Sequence, residues 1–448
     1  MQQEHARYRP RLFNKSPLFK IVYHHFGDFQ ECYYRLYSEH YGFFRPIIAH
    51  TVERFLACGD PREGVARYEC PKCRQNMAVP FSCKTRQFCP SCHEKRTLLW
   101  IEAIQEELLL PVSHRFWSFS IPKRLRPYFM WNRKLLSLLV TAANNTLAKS
   151  LSGGRLTKGM RPGIISLMQT HSGTMDWNCH LHLIVTDGLV DYTDPALPKF
   201  KQCAFWDIGV MTEMFRLELL TLMVKRKVLA PEVADNLMSW RNSGFHVYAT
   251  ESFRPADTQT LINRLAYAYR LPAPLNRLSF NDGRVTVAAR KQTLTMTPVD
   301  FIAKLTLHIP NRYQNIRRYA GFYSSNIQRK VRLAKPANNS TDAVVVAIRP
   351  PVKPKWATLI AKVFGEIPIA CPRCGTAMDL KEFIFDVRWI TKVIPEISRA
   401  PPKLTFDRNV AMNGLAYARS EDATVGNNVG FDQTVPENDG FFNQDLNW

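Results

Sequence analysis

The residues of this chain best suited to chemistry fall into three groups. The first is Cys70-Pro-Lys-Cys73 followed, after fifteen intervening residues, by Cys89-Pro-Ser-Cys92. Each Cys-x-x-Cys turn delivers two sulfurs, and two such turns supply the tetrahedral thiolate set that Zn²⁺ takes at about 2.3 Å. Four protein ligands leave no open position, so the site this spacing predicts is structural. Cys83 and His93 lie near enough in sequence to replace one ligand or to orient one. A later pair, Cys371-Pro-Arg-Cys374, has no Cys or His after it, and its nearest preceding histidine is His308. It would need a distant cysteine or a second chain to close a zinc site, and is otherwise two free thiols at a turn.

The second group is Asn178-Cys-His180-Leu-His182-Leu-Ile-Val-Thr-Asp-Gly188. Residues i and i+2 of a strand share a face, so both imidazoles can reach one cation while Leu181 and Leu183 enter the core. A divalent ion held this way keeps positions free to polarise a phosphate. A His-x-His pair is also an ordinary feature of half-exposed strands. Gln169 and His171, on the run before it, are candidates for a third ligand.

The third group lies on a helix expected from an Asp257 N-cap to Arg270, just before Pro272. Leu261, Ile262, Leu265, Ala268 and Tyr269 share its apolar face, whereas Tyr267 falls with Asn263, Arg264 and Arg270 on the polar one. Tyr269 is therefore a core residue and Tyr267 an available one. A phenol with its ordinary pKa of about 10 is a weak nucleophile without a metal or base, which ties Tyr267 to the histidine pair. Beyond it, His308 to Tyr323 interleaves Arg312, Arg317 and Arg318 with Tyr313 and Tyr319. Such a run either holds single-stranded DNA by phosphate contact and stacking or is a solvated basic helix end.

These groups need elements to position them. Residues 15–57 read as helical, with Phe26, Phe29, Tyr33, Leu36 and Tyr37 at helix spacing, so the aromatics of Cys32–Tyr41 fit a packed core better than a base-stacking surface. Short strand-like runs at 116–121, 163–170, 180–186, 244–250 and 284–289 alternate with helical patterns at 132–149, 208–228 and 258–270. The resulting division is a helical region 1–64, a zinc-binding segment 65–110, a mixed α/β or α+β domain 111–330, a linker 331–355, a segment 356–400 with a helical face from Trp356 to Phe364 before Cys371, and a tail 401–448. The tail has seven acidic residues against three basic ones, so it carries −4 and reads as disordered. The first 400 residues then hold +26 of the net +22.

The chain has 448 residues, 46% of them apolar, enough for real cores. With 60 Lys and Arg against 38 Asp and Glu, its surface attracts polyanions, and nucleic acid is the leading partner class. No stretch is apolar and long enough to span a bilayer, and the first fifteen residues lack an apolar export core, so a membrane or secreted protein is not expected. An odd count of eleven cysteines, six in Cys-x-x-Cys pairs, suits metal binding in a reducing cytoplasm better than disulfides.

Taken together the residues resemble the rolling-circle transposases of the insertion-sequence-91 type. The likeness is carried by Tyr41-Gly-Phe-Phe-Arg-Pro before Cys58-Gly-Asp, Phe81-Ser-Cys-Lys before Phe88-Cys-Pro-Ser-Cys-His-Glu-Lys-Arg96, and Phe119-Ser-Ile-Pro-Lys-Arg-Leu-Arg126. It continues in His180-Leu-His182 with Asp187-Gly, Asn276-Arg-Leu278 with Asp282-Gly-Arg-Val-Thr286, and the late Cys-Pro-Arg-Cys-Gly. The resemblance implies an α+β fold: an N-terminal helical and zinc-binding part, a HUH (His-hydrophobic-His) nuclease domain on an antiparallel sheet, and a small C-terminal CxxC segment. It implies structural Zn²⁺ at Cys70, Cys73, Cys89 and Cys92, and catalytic Mg²⁺ or Mn²⁺ on His180 and His182. A tyrosine would attack single-stranded DNA at element ends and target site, keeping the 5′-phosphate as phosphotyrosine and freeing a 3′-OH. A bacterial cytoplasmic, nucleoid-associated protein fits that role. Some members carry Tyr-x-x-x-Tyr; here that pattern falls on Asn263 and Tyr267, the single-tyrosine variant. A plasmid replication initiator or relaxase would share the histidines and tyrosine but not the zinc segment, and a non-catalytic zinc-ribbon DNA-binding protein or decayed transposase would need no Tyr267. A covalent protein–DNA adduct separates these classes.

Overall fold

Ser16 accepts a hydrogen bond from the Phe19 amide and is followed by Pro17, so the first helix starts there: α1, Pro17–Leu36. The structure is a computed structural model that describes residues 13–154, 157–203, 206–289, 292–334, 371–393, 401–404 and 406. The expected Trp356–Phe364 helical face, nearly all of the expected linker and most of the acidic tail lie outside the described residues.

After α1 come α2 (Pro46–Leu56), the hairpin β1 (Val65–Glu69) and β2 (Asn76–Pro80), and α3 (Pro90–Glu107). Then follow β3 (His114–Ser120), α4 (Leu136–Leu151), β4 (Gly163–His171), β5 (Trp177–Thr186), α5 (Ile208–Lys225), β6 (His246–Ala249) and α6 (Thr258–Ala268). A meander of β7 (Leu278–Asn281), β8 (Arg284–Ala288) and β9 (Thr293–Met296) leads into α7 (Pro298–Leu307). The chain continues through β10 (Arg317–Gly321) and α8 (Ser325–Leu333) and, after a gap, β11 (Asp379–Ile384) and α9 (Val387–Val393).

The central sheet is antiparallel throughout, in the order β10-β4-β5-β3-β6. One face is apolar: Phe119, Leu181 and Leu183 are fully buried, and Phe119 meets Phe215 of α5 at 4.9 Å between ring centroids. Burying each such side chain is worth about 1.5–3 kcal/mol, which fixes the register that turns His180 and His182 to the other face. The fold is thus a mixture of helices and antiparallel sheet.

The second core does not follow the expected division of the chain. Phe26, Phe29, Val52 and Phe55 of the N-terminal helices pack with Val285, Val287, Phe301 and Ile302, so residues 273–309 join the N-terminal core rather than the central sheet. The aromatics near Cys32 belong to it: Tyr33 is 3% exposed and its hydroxyl donates to the Gly42 carbonyl at 3.1 Å. Arg45 and the buried Arg133 donate to Thr306, Leu307 and Ile309 carbonyls, placing cations where the end of α7 leaves carbonyls unpaired. The tail is docked where it begins: Arg62 donates to the Pro401 carbonyl, the Tyr23 hydroxyl to the Pro402 carbonyl, and Phe406 meets Phe26 edge-on at 4.7 Å. Residues 401–404 and 406 therefore correct the expectation of disorder from 401 onward, because the α1 aromatics give them a surface to bury against.

His114 couples this fold to pH. Its Nδ1–H donates to the Val112 carbonyl at 2.7 Å, its Nε2 accepts from the Tyr323 hydroxyl at 2.6 Å, and burial pushes its pKa down to about 4. The unfolded chain takes up this proton near pH 6.5 and the folded chain does not. Stability should thus fall by about 3 kcal/mol on this group's account as pH drops from 6.5 to 4. His114→Gln should remove that part of the pH slope in denaturant unfolding; an unchanged slope would contradict it.

Candidate active site and metal centres

The site starts from the register of three strands. Gln169 of β4 stands opposite His180 of β5, and Ser118 of β3 stands opposite His182. These side chains therefore share the face away from Leu181 and Leu183. His180 donates its Nδ1–H to the Asn178 carbonyl at 2.8 Å, which leaves the Nε2 lone pair for a ligand. His182 Nε2 lies 2.8 Å from Oε1 of Gln169, and the two imidazole centroids are 4.9 Å apart. Burial pushes the His180 pKa down to about 4 and that of His182 well below its usual value, so both rings are neutral ligands at physiological pH. Gln169 is 4% exposed and its amide nitrogen lies 3.0 Å from His171 Nε2. The two ring nitrogens of His171 face the Ser172 and Arg270 carbonyls at 3.2 and 3.1 Å, so it supports Gln169 and the end of α6 rather than facing the pair itself.

Two imidazole nitrogens and an amide oxygen form a neutral donor set. It fits a divalent ion whose remaining positions phosphate oxygens and water can fill. Among the described residues no third Cys, His, Asp or Glu comes together with the pair; the two groups that do come together are both thiols.

The helix facing this strand is α6. Asp257 accepts from the Thr260 amide at 3.1 Å, the N-cap expected from sequence, and the helix ends at Ala268, two residues earlier than expected, with Tyr269 as its C-cap before Pro272. Leu261 and Leu265 are fully buried and Tyr269 is 4% exposed, whereas Tyr267 is 39% exposed. The Tyr267 ring meets His182 edge-on at 6.1 Å between centroids, and the Arg270 guanidinium lies 4.6 Å over the same ring. Tyr267, His182 and Arg264 line one cavity with Phe116, Ser118, Tyr248 and Thr250. Tyr248 was not singled out from the sequence. It stands opposite Ser118 on β6, and the only sequence signal for it is strand alternation.

α6 is held from behind by α3. The His93 ring stacks on Tyr269 at 4.7 Å and its Nε2–H donates to the Tyr269 carbonyl, while Trp100 lies against the same tyrosine. His93 is therefore not among the metal-ligand candidates; burial lowers its pKa to about 4, and it links the helix capped by Cys89 to the helix carrying Tyr267.

The thiols correct the expected grouping. Cys89 and Cys92 come together with Cys58 and Cys83, with Cys58 sulfur 3.7 Å from both Cys89 and Cys92 and Cys83 sulfur 3.5 Å from Cys92. Cys70 and Cys73 instead meet Cys371 and Cys374. The physical reason is local: Pro90 makes Cys89-Pro-Ser-Cys92 the first turn of α3, facing the end of α2, whereas Cys70–Cys73 is the tip of the β1–β2 hairpin. Cys83, a reserve candidate in the sequence, joins the first group. Cys58 was missed because it stands alone, 25 residues before Cys83.

The basic aromatic run is not a helix end. Arg317 and Arg318 lie on β10, the edge strand, with Arg317 stacked over Trp100 at 5.0 Å and Tyr269 at 5.5 Å. Arg312 lies over Tyr313, which is 82% exposed.

Residues 28–121 match the transposase zinc-binding domain of the insertion-sequence-91 type, and residues 163–331 match a second transposase family. The chain is 26% identical over 370 residues to the transposase for insertion sequence element IS801 of Pseudomonas savastanoi pv. phaseolicola, covering 78% of this chain and 86% of that one. No solved structure matches the chain. No helix among the described residues is long and apolar enough to cross a membrane.

Proposed function

The chain belongs to the insertion-sequence-91 family of transposases, and on that premise we propose that it nicks and rejoins single-stranded DNA through Tyr267, driving rolling-circle transposition by an HUH-type reaction. The observation that carries this reading is the meeting of His182 and Tyr267 in one cavity, with Arg264 and Arg270 beside them. His180, His182 and the Gln169 amide oxygen would hold Mg²⁺ or Mn²⁺. When bound, that ion supplies positive charge to the phosphate oxygens.

The remaining chemistry belongs to the chain. Tyr267 loses its phenolic proton and its oxygen attacks the phosphorus, forming the P–O bond of a 5′-phosphotyrosine. The bond from phosphorus to the 3′ oxygen breaks, and that oxygen takes up a proton as a free 3′-OH. Attack by a 3′-OH on the phosphotyrosine reverses the step, so rejoining needs no nucleotide hydrolysis. Arg264 and Arg270 supply charge-assisted contacts to the phosphate. Asn263, one helical turn before Tyr267, has no nucleophile, so one chain performs one transfer at a time.

The test is incubation with element-end single strands and Mg²⁺, followed by a search under denaturing conditions for a slow-migrating adduct; its absence with both strands would leave a DNA-binding protein without this activity. The +26 body predicts a second result: single-strand affinity should fall steeply with salt, log K dropping by about 0.7 per phosphate neutralised for each tenfold rise, and the proposed single-strand reaction adds that single strands should bind more tightly than duplex. Fluorescence anisotropy across a salt series checks this, and a salt-independent affinity would contradict it.

A further inference from the structure

We propose a second zinc site, made by Cys70, Cys73, Cys371 and Cys374, that staples the C-terminal segment to the N-terminal part and completes a zinc ribbon from two distant stretches of chain. The zinc-binding family match ends at residue 121, so half of these ligands lie outside it. Cys73 and Cys371 are 298 residues apart in sequence, yet their sulfurs are 3.4 Å apart. Cys70 and Cys374 are also 3.4 Å apart, and Cys73 and Cys374 3.6 Å. Four sulfurs about 2.3 Å from one Zn²⁺ stand about 3.8 Å from each other, whereas a disulfide needs about 2.05 Å. The spacing is that of a shared ion.

The two turns have the same backbone. Arg74 N–H donates to the Cys70 carbonyl and Cys70 N–H to the Gln75 carbonyl, both at 2.9 Å. Gly375 N–H donates to the Cys371 carbonyl and Cys371 N–H to the Thr376 carbonyl, both at 2.8 Å. The residue after the second cysteine is left-handed in each, with φ of 60° at Arg74 and 72° at Gly375. Two matching knuckles face each other across one centre. β11 then pairs antiparallel with β1, from Val65 opposite Ile384 to Glu69 opposite Asp379, giving the three-stranded sheet β11-β1-β2.

Apolar burial in this docking is small. It buries Val65, Ile390 and Met378, with Ala78, Ile384, Trp389, Tyr68 and Met77 packed alongside and the Phe81 ring against Phe383 and Phe385, while Leu380 and Phe383 remain 48% and 59% exposed. The Arg67–Glu382 ion pair is at the surface, where such pairs contribute little. A unit this small needs a metal to hold it, and binding by thiolates supplies that free energy. The inference stands on this cluster alone and does not depend on the nuclease reading.

The test is zinc content of the full chain, purified under reducing conditions. Two zinc ions per chain are expected. Cys371→Ser with Cys374→Ser should lower the count to one and abolish hydrogen-exchange protection of the 379–384 amides, while Cys374→His, which keeps a zinc ligand, should retain two. A single zinc in the unmodified chain, with Cys70, Cys73, Cys371 and Cys374 all open to alkylation without denaturant, would overturn the proposal. So would two zinc ions persisting in the double serine variant. Should that variant fail to fold, the alkylation pattern of the unmodified chain and the count in Cys374→His decide.

Discussion

Tyr267→Phe is expected to abolish the covalent protein–DNA adduct, lowering strand cleavage by at least about 10³-fold, while the protein stays folded and binds single strands as before. The substitution removes one hydroxyl from a side chain that is 39% exposed, so little packing is lost. The Arg270 guanidinium still has a ring to lie over. Tyr269→Phe is the control. That ring is packed against His93 and Arg317 and is 4% exposed, so it would have to leave its core to react. Burial also pushes the Tyr269 phenol pKa up, which disfavours the nucleophilic phenolate. Adduct formation should survive Tyr269→Phe. Tyr248 shares the cavity with Tyr267, so Tyr248→Phe belongs in the same gel. An adduct that persists in Tyr267→Phe but disappears in Tyr248→Phe or Tyr269→Phe would move the nucleophile to that residue.

What sequence could reveal depended on the range of the interaction. The strand around His180 and the Asp257 cap rest on neighbours two to four residues away, and the alternation of apolar residues is enough to place them. The same periodicity separates Tyr267 from Tyr269. The thiol grouping was not legible as a whole, because Cys70 and Cys89 both read as the start of Cys-Pro-x-Cys. The distinguishing signal lies downstream: Cys73 is followed by a residue that turns left-handed, whereas Cys92 is followed by fifteen residues that continue a helix to Glu107. Cys58 and the pairing with Cys371 are long-range facts that spacing cannot carry. Packing of residues 273–309 against α1 is of the same kind, since Tyr37 donates to Asp300 across 263 residues.

The architecture gives the zinc-binding part a role beyond DNA contact. α3 is capped by Cys89, within one thiol cluster, and four residues later its His93 holds the Tyr269 carbonyl at the end of the helix bearing the proposed nucleophile. An ion at Cys58, Cys83, Cys89 and Cys92 would fix the start of that support. Loss of this cluster should therefore disturb the position of Tyr267, whereas loss of the Cys371 cluster, at the tip of the β1–β2 hairpin, should not.

His182→Ala and His180→Ala should each lower cleavage by about 10³-fold or more while leaving single-strand affinity within a few-fold of the unmodified chain. The separation follows from charge. Both rings are neutral, held so by burial, so removing one takes no positive charge from the surface that binds the strand. What disappears is a ligand for the ion that stabilises charge on the phosphate during attack. His182 is the more demanding position, because it faces both Gln169 and Tyr267; truncating it opens a void beside the phenol. Gln169→Ala separates ligand from scaffold: if its amide oxygen completes the donor set, cleavage should need more Mn²⁺ to reach half its maximal rate, with binding unchanged. Should both histidine variants cleave within a few-fold of the unmodified chain at saturating metal, the pair is part of the scaffold of β5 and the proposed metal site is wrong, whatever the fate of Tyr267.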